Sequence, residues 1–290
     1  MKIFFASVMG FCFGVRRAVE LAEKALNENP DKPVFSLGAL IHNEKILFAL
    51  EKKGLKIADE NESHKIPEGS VVIIRAHGVA AKIFKILEEK KCIIIDATCP
   101  RVKTNQKTVE RYSLKNDCVI LTGDKNHSEV IGIAGYAGKN FRLIQDFSEA
   151  QKLNDKDFAD KNIILLSQTT YSPAEFEKIE NYCKTKFKKI AVMNTICPAT
   201  NERQNALLEL CKKVDGVLVI GGKNSANTKR LFQTAEKNCK NAAYIQTSQD
   251  IPKVFFEMEN VGITAGASTP DEIIFDVEKC LKEKQKKAKF

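Results

Sequence analysis

The chain of 290 residues has no tryptophan and only four histidines. It has no apolar run of about 18 residues or more, so no membrane-spanning helix and no membrane partner are expected. It has no aromatic-basic ribonucleoprotein signature, which together with the missing tryptophan argues against a nucleic-acid partner. No Pro-, Gly- or Ser-rich linker interrupts it, so any joints between domains are short and packed. Neither a Walker motif nor a dinucleotide fingerprint is present, so a bound phosphate would have to be held by other means. No export signal is expected either. Residues 3–15 are apolar enough to imitate a signal core, but one basic residue precedes them and no convincing cleavage site follows. The expected location is cytoplasmic, with thiols kept reduced.

What is present begins with length and charge. A chain of this size suggests two or three domains. The formal charge is +9, and part of the excess sits in Lys282, Lys284, Lys286, Lys287 and Lys289, which read as a solvated helix end. A positive bias also steers anionic small molecules. Nine cysteines are an odd number. Cys92, Cys118, Cys183, Cys211, Cys239 and Cys280 lie in strand or helix patterns and read as small, partly buried hydrophobes.

Short apolar runs alternate with longer helical patterns. Examples are Val71–Ile74, Cys92–Ile95, Cys118–Leu121, Ile190–Met193 and Val217–Ile220. Continuous rather than alternating apolar runs imply strands buried on both faces, and helices between them imply parallel sheets. The expected fold is α/β, with mostly parallel sheets. One layout recurs three times: a strand, a cysteine, then a helix. It occurs at "GFCFGVRRAVE" with Cys12, "DATCPRV" with Cys99 and "NTICPATNERQ" with Cys197, at intervals of 87 and 98 residues. Proline directly after Cys99 and Cys197 fits a first helical turn. A second strand ending in a polar loop follows each: "VVIIRAHGVA" with His77, "GDKNHSEVIGIAGY" with His127 and Glu129, and "GGKNSANTKRL" with Ser225 and Asn227. The expected boundaries are 1–13 for the N-terminal strand and elbow, then 14–97, 98–194 and 195–290 for three α/β units.

A helix N-terminus favours thiolate over thiol. Three such cysteines match neither a closed structural zinc site nor a closed iron–sulfur site, both of which usually have four protein ligands. They fit an iron–sulfur cluster with one open iron; a three-ligand zinc site and three unrelated core cysteines are the competing readings. Three of the four histidines, His42, His77 and His127, lie in glycine-adjacent loops. With Ser, Thr and Asn donors, including those of "SQTTYSP" and "GITAGASTPDEII", they suit a diphosphate. Glu129, two residues after His127, would sit among negative charges in poor solvent, which makes it a candidate proton donor.

These stretches, with "LGALIHNE", "RAHGV", "SQTT" and "TAGASTPDEII", span nearly the whole chain in order. Together they resemble the 4-hydroxy-3-methylbut-2-enyl diphosphate reductases of the methylerythritol phosphate isoprenoid pathway. The resemblance implies three pseudo-threefold-related α/β units in a trefoil around one 4Fe–4S cluster, held by Cys12, Cys99 and Cys197. The substrate hydroxyl would bind the fourth, open iron. Two one-electron transfers and two protons would release it as water and give isopentenyl or dimethylallyl diphosphate. Glu129 would relay protons, Thr169 would join the hydroxyl network, and His127 would assist protonation. His42, His77, His127, Ser225, Asn227 and Ser268 would hold the diphosphate. An external donor such as ferredoxin or flavodoxin would supply electrons to a monomer or weak dimer. One position departs from the family pattern: Ala226 stands where a second serine often follows the first. Two rival functions are a cluster-dependent hydro-lyase acting on another anion, and a redox or iron sensor.

Overall fold

The computed structural model describes residues 1–154, 158 and 161–287. Lys289 and the side chains of Lys286 and Lys287 in the basic tail lie outside the described part. In chain order the first elements are β1 (Lys2–Phe5), α1 (Phe13–Glu28), β2 (Val34–Leu37), α2 (Glu44–Lys52), β3 (Leu55–Ala58), β4 (Val71–Ile74), α3 (Ala81–Glu89) and β5 (Ile93–Asp96). Then come α4 (Pro100–Leu114), β6 (Cys118–Thr122), α5 (Ser128–Ala134), β7 (Phe141–Ile144), α6 (Phe147–Gln151), β8 (Ile163–Ser167), α7 (Pro173–Lys186) and β9 (Ile190–Val192). The last are α8 (Pro198–Cys211), β10 (Gly216–Ile220), α9 (Ala226–Asn238), β11 (Ala242–Ile245), β12 (Asn260–Ala265) and α10 (Asp271–Lys287).

The strands form three four-stranded sheets, ordered β3-β2-β4-β5, β7-β6-β8-β9 and β11-β10-β12-β1. Every pairing is parallel. The expected α/β class and parallel sheets are therefore what the chain adopts. All three sheets share one order: second strand, first, third, fourth. In the third sheet the fourth strand is β1, so the N-terminus completes the sheet built by the C-terminal part of the chain. Lys2 to Phe5 pair in register with Asn260 to Ile263.

Strands β4, β6, β8 and β10 are buried at every position. That is why their sequences run apolar without alternation: helices cover both faces. Each fully buried Leu, Ile or Val contributes roughly 1.5–3 kcal/mol. The second sheet has one core around Ile120, Leu165, Phe176 and Ile179, and another around Leu121, Val109, Ile133 and Leu166. The third sheet is likewise covered on two sides, by Ile263, Ile273 and Val277 and by Leu207, Val219 and Leu231.

Two compact units result. One comprises Met1–Arg16, His42–Ile46 and Pro198–Phe290; the other comprises Arg17–Ile41 and Leu47–Cys197 and holds two of the sheets. Among the described residues, no helix is long and apolar enough to cross a membrane.

Candidate functional site

Ligand sites in parallel sheets lie beyond the C-terminal ends of the strands. Each sheet here sends out four loops at that end, and three of them carry the candidate residues. The first strand of each sheet is followed by a glycine whose N–H is donated to the end of the second strand. Gly38, Gly123 and Gly221 bond the carbonyls of Ala58, Ile144 and Ile245 at 2.7, 3.0 and 2.9 Å. Each of these loops ends in a helix cap. Asn43 Oδ1 accepts the N–H of Ile46 at 3.2 Å, His127 Nδ1 that of Glu129 at 3.2 Å, and Ser225 Oγ that of Thr228 at 3.3 Å. Because His127 Nδ1 accepts, the neutral ring carries its proton on Nε2 and can donate from there.

The third strand of each sheet leads into the loop carrying His77, Thr169 or Ser268. The sequence pattern had grouped His77 with His127 and Ser225. The topology regroups it: His77 follows a third strand, like Thr169 and Ser268, and the counterpart of the His127 and Ser225 loops is the one ending in His42 and Asn43. The misgrouping arose because β2, with Ser36 at its centre, gives no continuous apolar run.

The fourth strand of each sheet leads to a cysteine, and its backbone is held the same way each time. The N–H of Cys12, Cys99 and Cys197 is donated to the carbonyl of Ala267, Ala76 and Thr169 at 3.0, 2.9 and 2.8 Å. Each acceptor lies two residues beyond the end of its sheet's third strand. Each cysteine then immediately precedes the first residue of α1, α4 or α8. All three are half-buried, and none of the nine cysteines is in a disulfide. The turn before the cysteine is made in two ways. Asp96 Oδ1 accepts the N–H of Thr98 at 3.0 Å, and Asn194 Oδ1 that of Ile196 at 3.1 Å. The first elbow has Met9 at this position, and Gly10 turns the chain instead with φ of 72°, a conformation that favours glycine. Gly14, on the other side of Cys12, lies within α1.

Within the second unit the structure brings together Glu129, Thr169, His77 and His127. Glu129 is 2% exposed. Its Oε1 accepts the N–H of Thr169, and its Oε2 accepts the Thr169 hydroxyl, both at 2.7 Å. The rings of His77 and His127 meet edge to face, 5.4 Å between centroids. Thr169 therefore serves twice: its carbonyl holds Cys197 and its donors hold Glu129.

Within the first unit, Ser268 Oγ donates to the carbonyl of His42 at 3.1 Å, and Asn43 Nδ2 donates to the carbonyl of Ser268 at 2.9 Å. Ser225 Oγ accepts from both the N–H and the hydroxyl of Thr228, the latter at 2.9 Å. Its own proton is thus left for another acceptor. Asn227 is buried, and its Nδ2 has no hydrogen-bond partner among the described residues. A buried amide donor left unmade costs about 1–3 kcal/mol, a cost that an anionic ligand would relieve. Ala226 is the first residue of α9, so its backbone N–H belongs to the first-turn donors that a helix cannot satisfy internally.

Arginines within the motif stretches position the cysteine turns. Buried Arg203 donates to the carbonyl of Gly10 at 2.6 Å and so fixes the Cys12 elbow. Arg17 donates to the carbonyls of Asp96 and Thr98 at 3.1 and 3.4 Å and fixes the Cys99 turn. Burial alone would raise the Asp96 carboxyl, but hydrogen bonds from Lys103 and Thr98 outweigh it and hold the group below the usual carboxylate range. Arg203 shares the buried face of α8 with Thr200, Ala206, Leu207 and Leu210, but its acceptor, the Gly10 carbonyl, comes from a distant part of the chain. Two cysteines read as packing residues behave as such, since burial pushes the Cys183 and Cys211 thiols up to about 11.

Known proteins share this architecture. The family profile described as LytB protein matches residues 3–282. A 4-hydroxy-3-methylbut-2-enyl diphosphate reductase from Caldanaerobacter subterraneus subsp. tengcongensis is 43% identical over 281 residues, 96% of this chain and 95% of the relative. One from Treponema denticola is 44% identical over 287 residues, 96% of this chain and 98% of the relative. Among solved structures, the E-1-hydroxy-2-methyl-but-2-enyl-4-diphosphate reductase from Plasmodium falciparum aligns with a TM-score of 0.88 and 31% identity, covering 97% of this chain and 87% of that one. The fold and these likenesses define an oxidoreductase with three parallel sheets. The chain belongs to the LytB family of 4-hydroxy-3-methylbut-2-enyl diphosphate reductases.

Proposed function

We propose that this chain reduces 4-hydroxy-3-methylbut-2-enyl diphosphate to isopentenyl and dimethylallyl diphosphates. The observation that supports this most is the hydrogen bond repeated in all three sheets, which holds Cys12, Cys99 and Cys197 at equivalent helix starts. Three half-exposed thiols outside any disulfide suit three-thiolate ligation of one 4Fe–4S cluster. When bound, that cluster supplies an open iron for the substrate hydroxyl and passes on two electrons, one at a time.

The balance of the reaction sets what the protein must do. The allylic C–O bond breaks, two electrons and two protons enter, one water leaves and one C–H bond forms. Two negative phosphoryl groups must be held and protons must be delivered in a place closed to bulk water. Asn227 Nδ2, Ser225 Oγ and His127 Nε2 are donors suited to phosphate oxygens. His42, His77 and Ser268 complete the proposed diphosphate set. Glu129 is the proton carrier, with Thr169 holding the carboxyl in place. Electrons come from an external one-electron carrier such as ferredoxin or flavodoxin, since no flavin or nicotinamide motif is present. We take the chain to be cytoplasmic, a monomer or weak dimer, and divided at 14, 98 and 195 into the three α/β units expected from sequence.

The test is anaerobic reconstitution with iron and sulfide, then turnover of the hydroxylated diphosphate with reduced methyl viologen. Reductant-dependent formation of both products supports the assignment. Water loss without reductant would point to a hydro-lyase instead. A wild-type chain that holds only zinc would end the reductase reading.

A further inference from the structure

The second unit has a recess beside Cys99 that the reaction leaves unused. It encloses about 260 Å³ and is lined by Arg17, Asp96, Thr98, Pro100, Lys103 and Lys107, among others. Thr98 and Pro100 are the immediate neighbours of Cys99. Anything seated in the recess therefore lies against the backbone that presents one proposed cluster ligand.

The charge on this face is one-sided. Along the first two turns of α4 the exposed polar residues are Arg101, Lys103, Thr104 and Lys107, with no acidic residue before Glu110. No acidic side chain occupies the first helical turn either. Cations near a helix N-terminus oppose the helix dipole, so stability of α4 does not account for them. Asp96 pairs with Lys103, and Arg17 is spent on the Cys99 turn. Among the described residues, Lys107 and Arg101 form no ion pair with an acidic side chain. A small anion deep in the recess would face the Asp96 carboxylate. Carboxylates on the convex surface of a protein would instead meet the outer lysines.

We propose that this recess and the exposed first turns of α4 form the docking face for the electron donor, an acidic one-electron carrier protein. This rests on the reductase reading, which requires such a donor, and adds where it binds. Docking here sets the carrier's redox centre against the Cys99 turn. The small, charge-dominated contact suits a transient electron-transfer encounter. The overall charge of +9 extends the attraction beyond the contact itself.

The test uses the cluster-loaded protein and reduced flavodoxin, with reduced methyl viologen as a small cationic reductant. Cluster reduction is followed by stopped-flow absorbance. Lys107→Glu is the informative variant, because it leaves the Asp96–Lys103 pair and the Cys99 turn intact. The flavodoxin rate should fall about tenfold or more at low salt, while the viologen rate stays within about twofold. Added salt should slow the wild type and narrow the gap to the variant. Lys188→Glu/Lys189→Glu, a basic pair elsewhere on the unit, should change neither rate by more than about twofold. Zero-length carbodiimide coupling of the wild-type pair should join flavodoxin carboxylates to Lys103 or Lys107. Cross-links confined to other lysines would overturn the proposal, as would an unchanged flavodoxin rate in Lys107→Glu or an equal loss in the Lys188/Lys189 variant. Suppression of the flavodoxin rate by inorganic phosphate at fixed ionic strength, without cross-links at α4, would assign the recess to a small anion and overturn it too. A chain that takes up no cluster, or is reduced by viologen yet leaves the diphosphate unchanged, fails the reductase reading before flavodoxin is added.

Discussion

At the scale of the residue, the Glu129–Thr169 pair separates chemistry from stability. Gln at 129 can still accept the Thr169 N–H, and its amide can donate to the Thr169 hydroxyl, which rotates to accept. Glu129→Gln should therefore melt near the wild type and bind the diphosphate with similar affinity. Its turnover should fall about 10²–10⁴-fold, the usual worth of a positioned proton donor; calorimetry and viologen-driven turnover would check both halves. Thr169→Val does the reverse damage. It removes the hydroxyl donor from a carboxyl that is 2% exposed, at a cost of about 1–3 kcal/mol. Thermal unfolding should show it as a lowered melting temperature. Asp96 gives a pH prediction with a definite sign. Its carboxyl lies below the ordinary range in the folded protein. The stability it adds is therefore present above the unfolded value of about 3.9 and is lost as pH falls through the folded value. Asn at this position keeps the turn, as Asn194 does in the equivalent place, but gives up the charge paired with Lys103. Wild type should exceed Asp96→Asn in stability at pH 6, and the two should converge below about pH 4; a constant gap across that window would contradict the assignment.

At the scale of the element, α5 shows how a helix places a catalytic group. It carries Glu129 at its second position, and glycine lets its C-terminal end lie against the start of α3. A Cβ on Gly135 would come 2.2 Å from Ala80 Cβ and 2.7 Å from Ala80 Cα, so backbone would have to move. Gly135→Ala should cost about 1–3 kcal/mol as an overpacked contact. Its activity should fall further than its stability, because misplacing a catalytic group by about 1 Å can cost 10²-fold. Comparing turnover with unfolding midpoints would separate the two. The strands show what was legible beforehand. Those buried on both faces, β4, β6, β8 and β10, announced themselves as continuous apolar runs. The second strand of each sheet did not. Charged Lys56 and Arg142 interrupt β3 and β7, and β11 offers only the small Ala242 and Ala243 before Tyr244. The motif residues were legible because their chemistry is local: cysteine before a helix, histidine beside glycine. The residues that hold them, Arg17, Arg203 and Asn43, act on carbonyls supplied by other elements, which no local pattern reveals.

At the scale of the whole molecule, the repeat has a register that the sequence obscured. Reading from the N-terminus, each cysteine seems to open a unit, yet in each sheet the cysteine follows the last strand. The chain closes its third sheet with its own first strand, so Cys12 belongs structurally with β10, β11 and β12, more than 200 residues away in sequence. Two expectations follow. Removing Lys2–Phe5 should damage the sheet of the C-terminal part, exposing Val261 and Ile263 of β12, which are fully buried in the intact protein. And the three cysteines should be equivalent in effect, because each is held by the same backbone bond at the same point of the same topology. None of the three is a buried core residue, so Cys12→Ser, Cys99→Ser and Cys197→Ser should each fold with a melting temperature, measured without metal, close to that of the metal-free wild type. Each should also lose the substrate-responsive 4Fe–4S signal in electron paramagnetic resonance after reconstitution. Cys183→Ser, from the core of the second sheet, should behave in the opposite way, with an unchanged signal and a lower melting temperature. If one of the three N-terminal-turn variants kept a normal, substrate-responsive cluster, threefold backbone equivalence would not extend to ligation, and the open-iron mechanism would lose its basis.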